Sequence, residues 1–243
     1  MREQIDILKN GRQIVQNKDG FMFGIDAILL SDFARSQINQ KDTLVDLCCG
    51  NGIIPLMLCD YVSKIVGVEI QKQAVDLVKK SIELNEINNI EVLNIDLKTV
   101  YKNLDKHAFN IVTCNPPYMI NQTGKKNEMD AKTIARHEVF CNLEDVIMAS
   151  DYVLHTHGKL FMIHRPNRLA EIFYLLKKYN LEPKRMKLVY PFENEEPNLV
   201  LIEARKNAKP GLIVEKNLIV RKENKEYTNE VERIYESFEK VGK

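Results

Sequence analysis

Asn115-Pro116-Pro117-Tyr118 puts an amide, two rigid residues and an aromatic ring into four consecutive positions. An Asn oxygen and a nearby backbone carbonyl are acceptors, and a phenol ring offers a π-face. That set suits a planar group bearing an NH2. The oxygens accept from the amine while the ring stacks on its plane. Proline fixes φ and carries no N–H, so the pair ends the preceding strand and stiffens the turn. The run Phe109 to Cys114 before it is apolar and reads as a buried strand. Amide and ring are therefore expected at the carboxyl edge of a sheet, where open α/β folds bind ligands.

A second constellation lies upstream. Val45-Asp46-Leu47-Cys48-Cys49-Gly50-Asn51-Gly52 joins a strand to a helix, and its glycines let the backbone turn tightly and approach a ligand. Glu69 ends the next strand, about twenty residues on, where an acid can hold ribose hydroxyls. A nicotinamide site would want a third glycine three positions after the second, and Pro55 stands there. No Gly-Lys-Ser/Thr follows, so a Walker-type phosphate loop is absent. A ligand with a ribose but no phosphate fits better.

The elements that must carry these residues alternate. Strands are expected at Thr43–Leu47, Lys64–Glu69, Ile90–Ile95, Phe109–Cys114, Lys159–His164, Lys187–Tyr190 and Leu199–Ala204. Helices are expected from Ile25 to Phe33, Ile53 to about Asp60, Gln71 to Asn85, Asn142 to near Gly158, Pro166 to about Asn180, and Tyr227 to Phe238. Residues 5–16 read as a hairpin turning at Asn10-Gly11, and Ile213–Val214 with Leu218–Val220 as a second one. Residues 119–141 read as a long loop. Alternation of this kind implies a mainly parallel sheet with helices on both faces, and the final strands an antiparallel edge.

Bulk properties narrow the class. A chain of 243 residues with 44% hydrophobic and 28% charged content suits one domain, 1–243, carrying small extensions at 5–16 and 211–240. No apolar stretch reaches a membrane span's length, so a cytoplasmic protein is expected. Cys48, Cys49, Cys59, Cys114 and Cys141 are odd in number and form no CxxC pair, which argues for reduced thiols and against zinc. His155, His157 and His164 flank a strand, and the HxH pair has no carboxylate or third ligand close in sequence, so no metal is expected. Net charge is only +1. Lys177, Lys178, Lys184, Arg185 and Lys187, then Arg205, Lys206 and Lys209, then Arg221, Lys222 and Lys225 nevertheless concentrate in the second half. A one-sided basic patch is one reading of these clusters and a solvated face the other.

Glycine loop, acidic second strand and later Asp together resemble the class I S-adenosylmethionine-dependent methyltransferases. The likeness implies a Rossmann-like, seven-stranded sheet and S-adenosyl-L-methionine as cofactor. Asp46, Gly50 and Gly52 would line its methionine end, with Cys48 where the first glycine is usual. Glu69 would bind the ribose, Ile70 would lie against the adenine, and Asp96 with Leu97 would meet the adenine amine. Within that superfamily, Asn-Pro-Pro-Tyr resembles enzymes that methylate adenine N6, cytosine N4 or a glutamine amide. Asn115, Pro116, Pro117 and Tyr118 would be the catalytic set, with Asn115 also beside the cofactor.

Gly20-Phe21-Met22-Phe23-Gly24-Ile25-Asp26-Ala27, Arg136-His137-Glu138 and Pro197-Asn198-Leu199-Val200 are similar to segments of the bacterial tRNA1(Val) adenosine-37 N6-methyltransferase family. That likeness implies that Phe23, Gly24 and Asp26 border the cofactor and that the partner is tRNA, met by a monomer. Arg136, Arg165, Arg168, Lys184, Arg185, Arg205 and Lys206 are the candidate RNA contacts. Ribosomal RNA, a glutamine of a translation protein, and a non-catalytic scaffold are the competing readings.

Overall fold

Strands buried on both faces read as unbroken apolar runs, and three such runs seed the sheet at their expected bounds. These are Thr43–Leu47, Lys64–Glu69 and Phe109–Cys114. The structure is a computed structural model describing residues 2–19, 23–116 and 141–239. In chain order its elements are β1 (Glu3–Ile7), β2 (Gln13–Asn17), α1 (Ile25–Arg35), β3 (Thr43–Leu47), α2 (Ile53–Leu58), β4 (Lys64–Glu69), α3 (Lys72–Leu84), β5 (Ile90–Asn94), α4 (Val100–Asn103), β6 (Phe109–Cys114), α5 (Leu143–Val153), β7 (Leu154–His164), α6 (Leu169–Lys178), β8 (Leu181–Phe192), β9 (Leu199–Lys206), β10 (Ile213–Val214), β11 (Leu218–Arg221) and α7 (Asn229–Glu236).

Spatial order across the main sheet is β5-β4-β3-β6-β7-β9-β8. Pairs from β5 to β7 are parallel, and β9 runs antiparallel to both β7 and β8. The expected seven-stranded α/β sheet with an antiparallel edge is present. Side chains alternate along each strand, so the sheet has two apolar faces. Leu44 and Ile111 join the cluster with α1, α2, α3 and α7, whereas Val45, Leu47 and Val112 join the one with α4, α5 and α6. Among the described residues, no helix is long and apolar enough to cross a membrane.

Two expectations need correction. β10 and β11 do not form a hairpin. Both add in parallel to β8, with Ile213 opposite Arg185 and Leu218 opposite Val189, giving nine strands. Glu215 between them explains this. Its N–H donates to the Met186 carbonyl and its carboxylate pairs with Arg185 and Lys187, so the chain continues along β8. The helix capped by Asn142 ends at Val153, not near Gly158. Gly158 lies inside β7 instead, where a Cβ would come within 3.0 Å of the Asn110 carbonyl. It marks a register shift against β6, helped by His157 at φ 67°.

The N-terminal hairpin forms as expected, with Gly11 at φ 77° in its turn. It is bound to the domain by polar contacts. Arg12 makes a two-pronged ion pair with Asp60, and Val15 N–H donates to Ser81 on α3.

Candidate active site

Register aligns the chemistry along one edge. Leu47 lies opposite both Val68 and Cys114, and Glu69 lies opposite Asn94. Asp96, Glu69, the Cys48–Gly52 loop and Asn115 therefore succeed one another across the carboxyl ends of β5, β4, β3 and β6. From β3 the chain winds outward through β4 and β5, and from β6 it winds the other way through β7. The crevice between β3 and β6 is thus the switch point of the sheet, where α/β folds hold ligands.

The loop after β3 alternates left-handed residues: Cys48 at φ 60°, Gly50 at 54° and Gly52 at 78°. Cysteine at the first position accepts the conformation glycine usually supplies. At Gly52 there is a second constraint, since a Cβ would lie 2.7 Å from Val78 Cγ1 on α3. Glu69 is buried and braces the loop. Its Oε2 accepts the Gly50 N–H and its Oε1 the Gln71 N–H, each at 2.9 Å. Each carboxylate oxygen keeps a further lone pair for a hydroxyl.

Asp46 and Thr113 are cross-strand neighbours, and the Thr113 hydroxyl donates to Asp46 Oδ1 at 2.6 Å. Asp46 is wholly buried, and its Oδ2 has no partner among the described residues. Burial pushes its carboxyl up to about 8; the Thr113 hydrogen bond opposes that rise and the Glu69 charge adds to it. Asp96 accepts the Lys98 N–H at 2.9 Å and caps the turn that buries Leu97. Ile70 is half-buried beside it in the sheet order, its carbonyl accepting from Asn94.

Asn115 Nδ2 donates to Asp26 Oδ2 at 3.0 Å, which brings the start of α1 onto the turn after β6. Pro116 is buried. Phe23 N–H donates to Gln16 Oε1, and Gly24 is the residue before α1. Pro117, Tyr118 and Arg136 lie outside the described residues. Gln16, Asn51 and Thr113 belong to the site's framework yet carried no signal of their own in sequence. Thr113 could have been found from register, since it stands two residues before Asn115 as Asp46 stands two before Cys48.

The thiols here are held protonated. A hydrogen bond with Cys114 and burial push Cys48 up, burial does the same for Cys49 and Cys114, and all five cysteines are free. Cys48 Sγ lies 3.9 Å from Cys141 Sγ. Among the described residues, no three His, Cys, Asp or Glu side chains converge as metal ligands do.

Several of the clustered basic residues are paired with acids. Lys177 pairs with Glu182, Lys178 with Glu144, and Lys187 with Glu215 and Glu230. Three of the candidate RNA contacts are engaged by acids of the protein itself. Lys206 is buried and pairs with Asp151 at 3.0 Å. Arg185 reaches Glu203, Glu215 and the Phe33 carbonyl and lies over the Phe33 ring. Arg205 pairs with the same buried Glu203. Buried Glu203 demands cations, and Arg185 and Arg205 supply them. Arg165 donates to the Asn198 carbonyl, Arg168 pairs with Glu171, and Lys184 donates to the Lys209 carbonyl. The Arg165 N–H also donates to Nδ1 of buried His164, whose imidazole burial pushes down to about 4.

A family model described as "Methyltransferase small domain" matches residues 24–178. The chain belongs to that family. It is 30% identical over 154 residues to a tRNA1(Val) (adenine(37)-N6)-methyltransferase of Histophilus somni (strain 129Pt), covering 62% of this chain and 63% of that protein. The match thus spans less than two thirds of that relative's length. A protein of the same description from Trichodesmium erythraeum (strain IMS101) is 27% identical over 223 residues, or 88% of each chain. Among solved structures, a predicted O-methyltransferase from Agrobacterium tumefaciens superposes with a TM-score of 0.70 at 21% identity, over 88% of this chain and 96% of that one. This last likeness is one of fold. Family and fold together imply S-adenosyl-L-methionine as the cofactor. The residues fit it. Left-handed Gly50 faces open space that a side chain would fill, Asp46 Oδ2 is a buried carboxyl oxygen without a partner among the described residues, and Glu69 retains lone pairs for a diol.

Proposed function

We propose that the protein is an S-adenosyl-L-methionine-dependent methyltransferase acting on the exocyclic N6 of an adenine in RNA, with adenosine 37 of tRNA1(Val) as its target. The observation that carries this reading is the pairing of Leu47 with Cys114, which sets the glycine loop and the Asn115-Pro116 turn side by side. The descriptions of the Histophilus and Trichodesmium relatives supply the nucleoside and the RNA. An RNA of this kind would be met in the cytoplasm.

The bound cofactor supplies a methyl group on a sulfonium, open to attack by a nitrogen lone pair. Adenine N6 is a poor nucleophile because that lone pair is delocalised into the ring. The Asn115 Oδ1 and the Pro116 carbonyl accept the two N6 hydrogens and favour a more tetrahedral nitrogen. No strong base is needed before attack, because the proton can leave to water afterwards. Catalysis is then mostly positioning, for which about 7–11 kcal/mol is available in favourable cases. Tyr118 stacks on the target base, worth about 1–3 kcal/mol. Glu69 holds the cofactor's ribose and Asp96 its adenine amine. An anticodon-loop nucleoside is single-stranded, so splaying it out costs little.

Labelled methyl transfer into tRNA, rRNA and protein pools tests the reading. Label in adenosine of tRNA is the expected result, and label confined to protein overturns it. Asn115→Ala should abolish transfer while cofactor binding stays measurable.

A further inference from the structure

We infer that Asp26 is a positioning residue for Asn115, deciding which end of its amide meets the target amine. This rests on the proposed N6 transfer. An Asn side chain has an oxygen and an NH2 of nearly equal size, and either could face a substrate. Only the oxygen can accept from an amine. Asp26 removes the ambiguity, because an ionised carboxylate has acceptors only. It takes the Asn115 NH2 at 3.0 Å, and the opposite rotamer would set two oxygens against each other. The Asn115 oxygen is thereby turned away from Asp26. The neighbouring negative charge also enriches that oxygen as an acceptor.

The carboxylate is itself fixed. Its other oxygen accepts the Ala27 N–H at 3.0 Å, at the start of α1. That helix is anchored by buried Ala27, Ile28, Leu29 and Leu30. Gly24 leaves the room required, since a Cβ there would lie 2.7 Å from Asp26 Oδ1. Its φ of −104° is open to any residue, so space and not backbone freedom explains glycine here. A rigid helix thus carries a charge 89 residues away in sequence onto the reactive amide.

The test compares full-length Asp26→Ala and Asp26→Asn with wild type and Asn115→Ala. It reads the single-turnover rate on RNA, KM for RNA, affinity for S-adenosyl-L-homocysteine, and thermal melting. Loss of orientation in Asp26→Ala should slow transfer about 100-fold, as misplacing a reacting group does, with KM and S-adenosyl-L-homocysteine affinity within about threefold. Asp26→Asn keeps an acceptor but loses the charge, and should be slowed only about tenfold. It also carries the test if Asp26→Ala does not fold. Asp26→Asn at the wild-type rate overturns the inference. So does a rate loss matched by an equal loss of S-adenosyl-L-homocysteine affinity, which would make Asp26 a cofactor contact. An active Asn115→Ala removes the underlying reading as well, whereas an inactive Asn115→Ala beside an unimpaired Asp26→Asn removes this inference alone.

Discussion

Gln16 and Asn51 are joined side chain to side chain, with Gln16 Oε1 accepting from Asn51 Nδ2 at 2.8 Å between two buried residues. The same oxygen accepts the Phe23 N–H, and Gln16 Nε2 donates to Asp6. The N-terminal hairpin therefore buttresses the glycine loop and the approach to α1 through a single amide. Gln16→Met preserves volume and strands two donors. Each stranded group costs about 1–3 kcal/mol, so urea denaturation should show a loss of at least that size. S-adenosyl-L-homocysteine affinity should fall with it, by about tenfold per 1.4 kcal/mol of loop disorder. An unchanged denaturation midpoint and affinity would show that the hairpin is not a support.

Cys48 and Gly52 share a left-handed backbone but differ in surroundings. Cys48→Gly should keep S-adenosyl-L-homocysteine affinity within about threefold, because glycine adopts φ 60° freely. Cys48→Val should lose at least tenfold, because a β-branched residue is a genuine outlier there. Gly52→Ala meets both the φ cost, about 1–2 kcal/mol, and the Val78 methyl. Adding Val78→Ala removes the clash but not the φ cost, so the double variant should recover only part of the affinity. Calorimetric titration of the four variants checks the ordering.

The parallel strands and the residues that follow them were legible because both are local. Fully buried strands declare themselves as apolar runs, and a ligand edge is one step further along the chain. Asp46, Gly50, Gly52, Glu69 and Asn115 fall at those steps. Contacts that bring distant segments together were not legible. Gln16 and Asn51 are separated by 35 residues, Asp26 and Asn115 by 89, and neither pair has a spacing that a period could reveal. The partners of the basic clusters were hidden for the same reason. Lys178 and Arg185 look unpaired in their own stretch because Glu144 and Glu203 come from other elements.

Asp46 and His164 should give the ligand-free protein a pH profile with two regimes. The Asp46 carboxyl, ordinarily near 3.8, titrates near 8 when folded. Its contribution is complete below about pH 4 and is lost as pH rises to 8, by about 1.4 kcal/mol per unit. His164 is lowered from 6.5 to about 4, so its contribution is complete above 6.5 and is lost as pH falls towards 4, at a similar slope. The two oppose each other between pH 4 and 6.5. From 6.5 to 8 the Asp46 slope stands alone, about 2 kcal/mol in all. Urea unfolding at pH 5, 6.5 and 8 should show that fall in wild type and its absence in Asp46→Asn. Parallel curves for the two proteins would mean that Asp46 is already ionised when folded.

Lys206 and Lys184 separate a structural cation from a candidate phosphate contact. The Lys206 side chain is 6% exposed against Asp151, whereas the Lys184 ammonium donates to the Lys209 carbonyl and has no carboxylate partner among the described ion pairs. A lysine that touches RNA phosphate releases a counterion, contributing about 0.7 to the slope of log affinity against log salt on single strands. Lys206→Met should leave that slope and the tRNA affinity unchanged while lowering the melting temperature, since Asp151 loses its partner. Lys184→Ala should do the reverse, lowering the slope by about 0.7 with melting unaltered. Filter binding across a salt series reads both. A reduced slope in Lys206→Met would mean that the Lys206–Asp151 pair opens to meet RNA, and an unreduced slope in Lys184→Ala would remove that lysine from the interface.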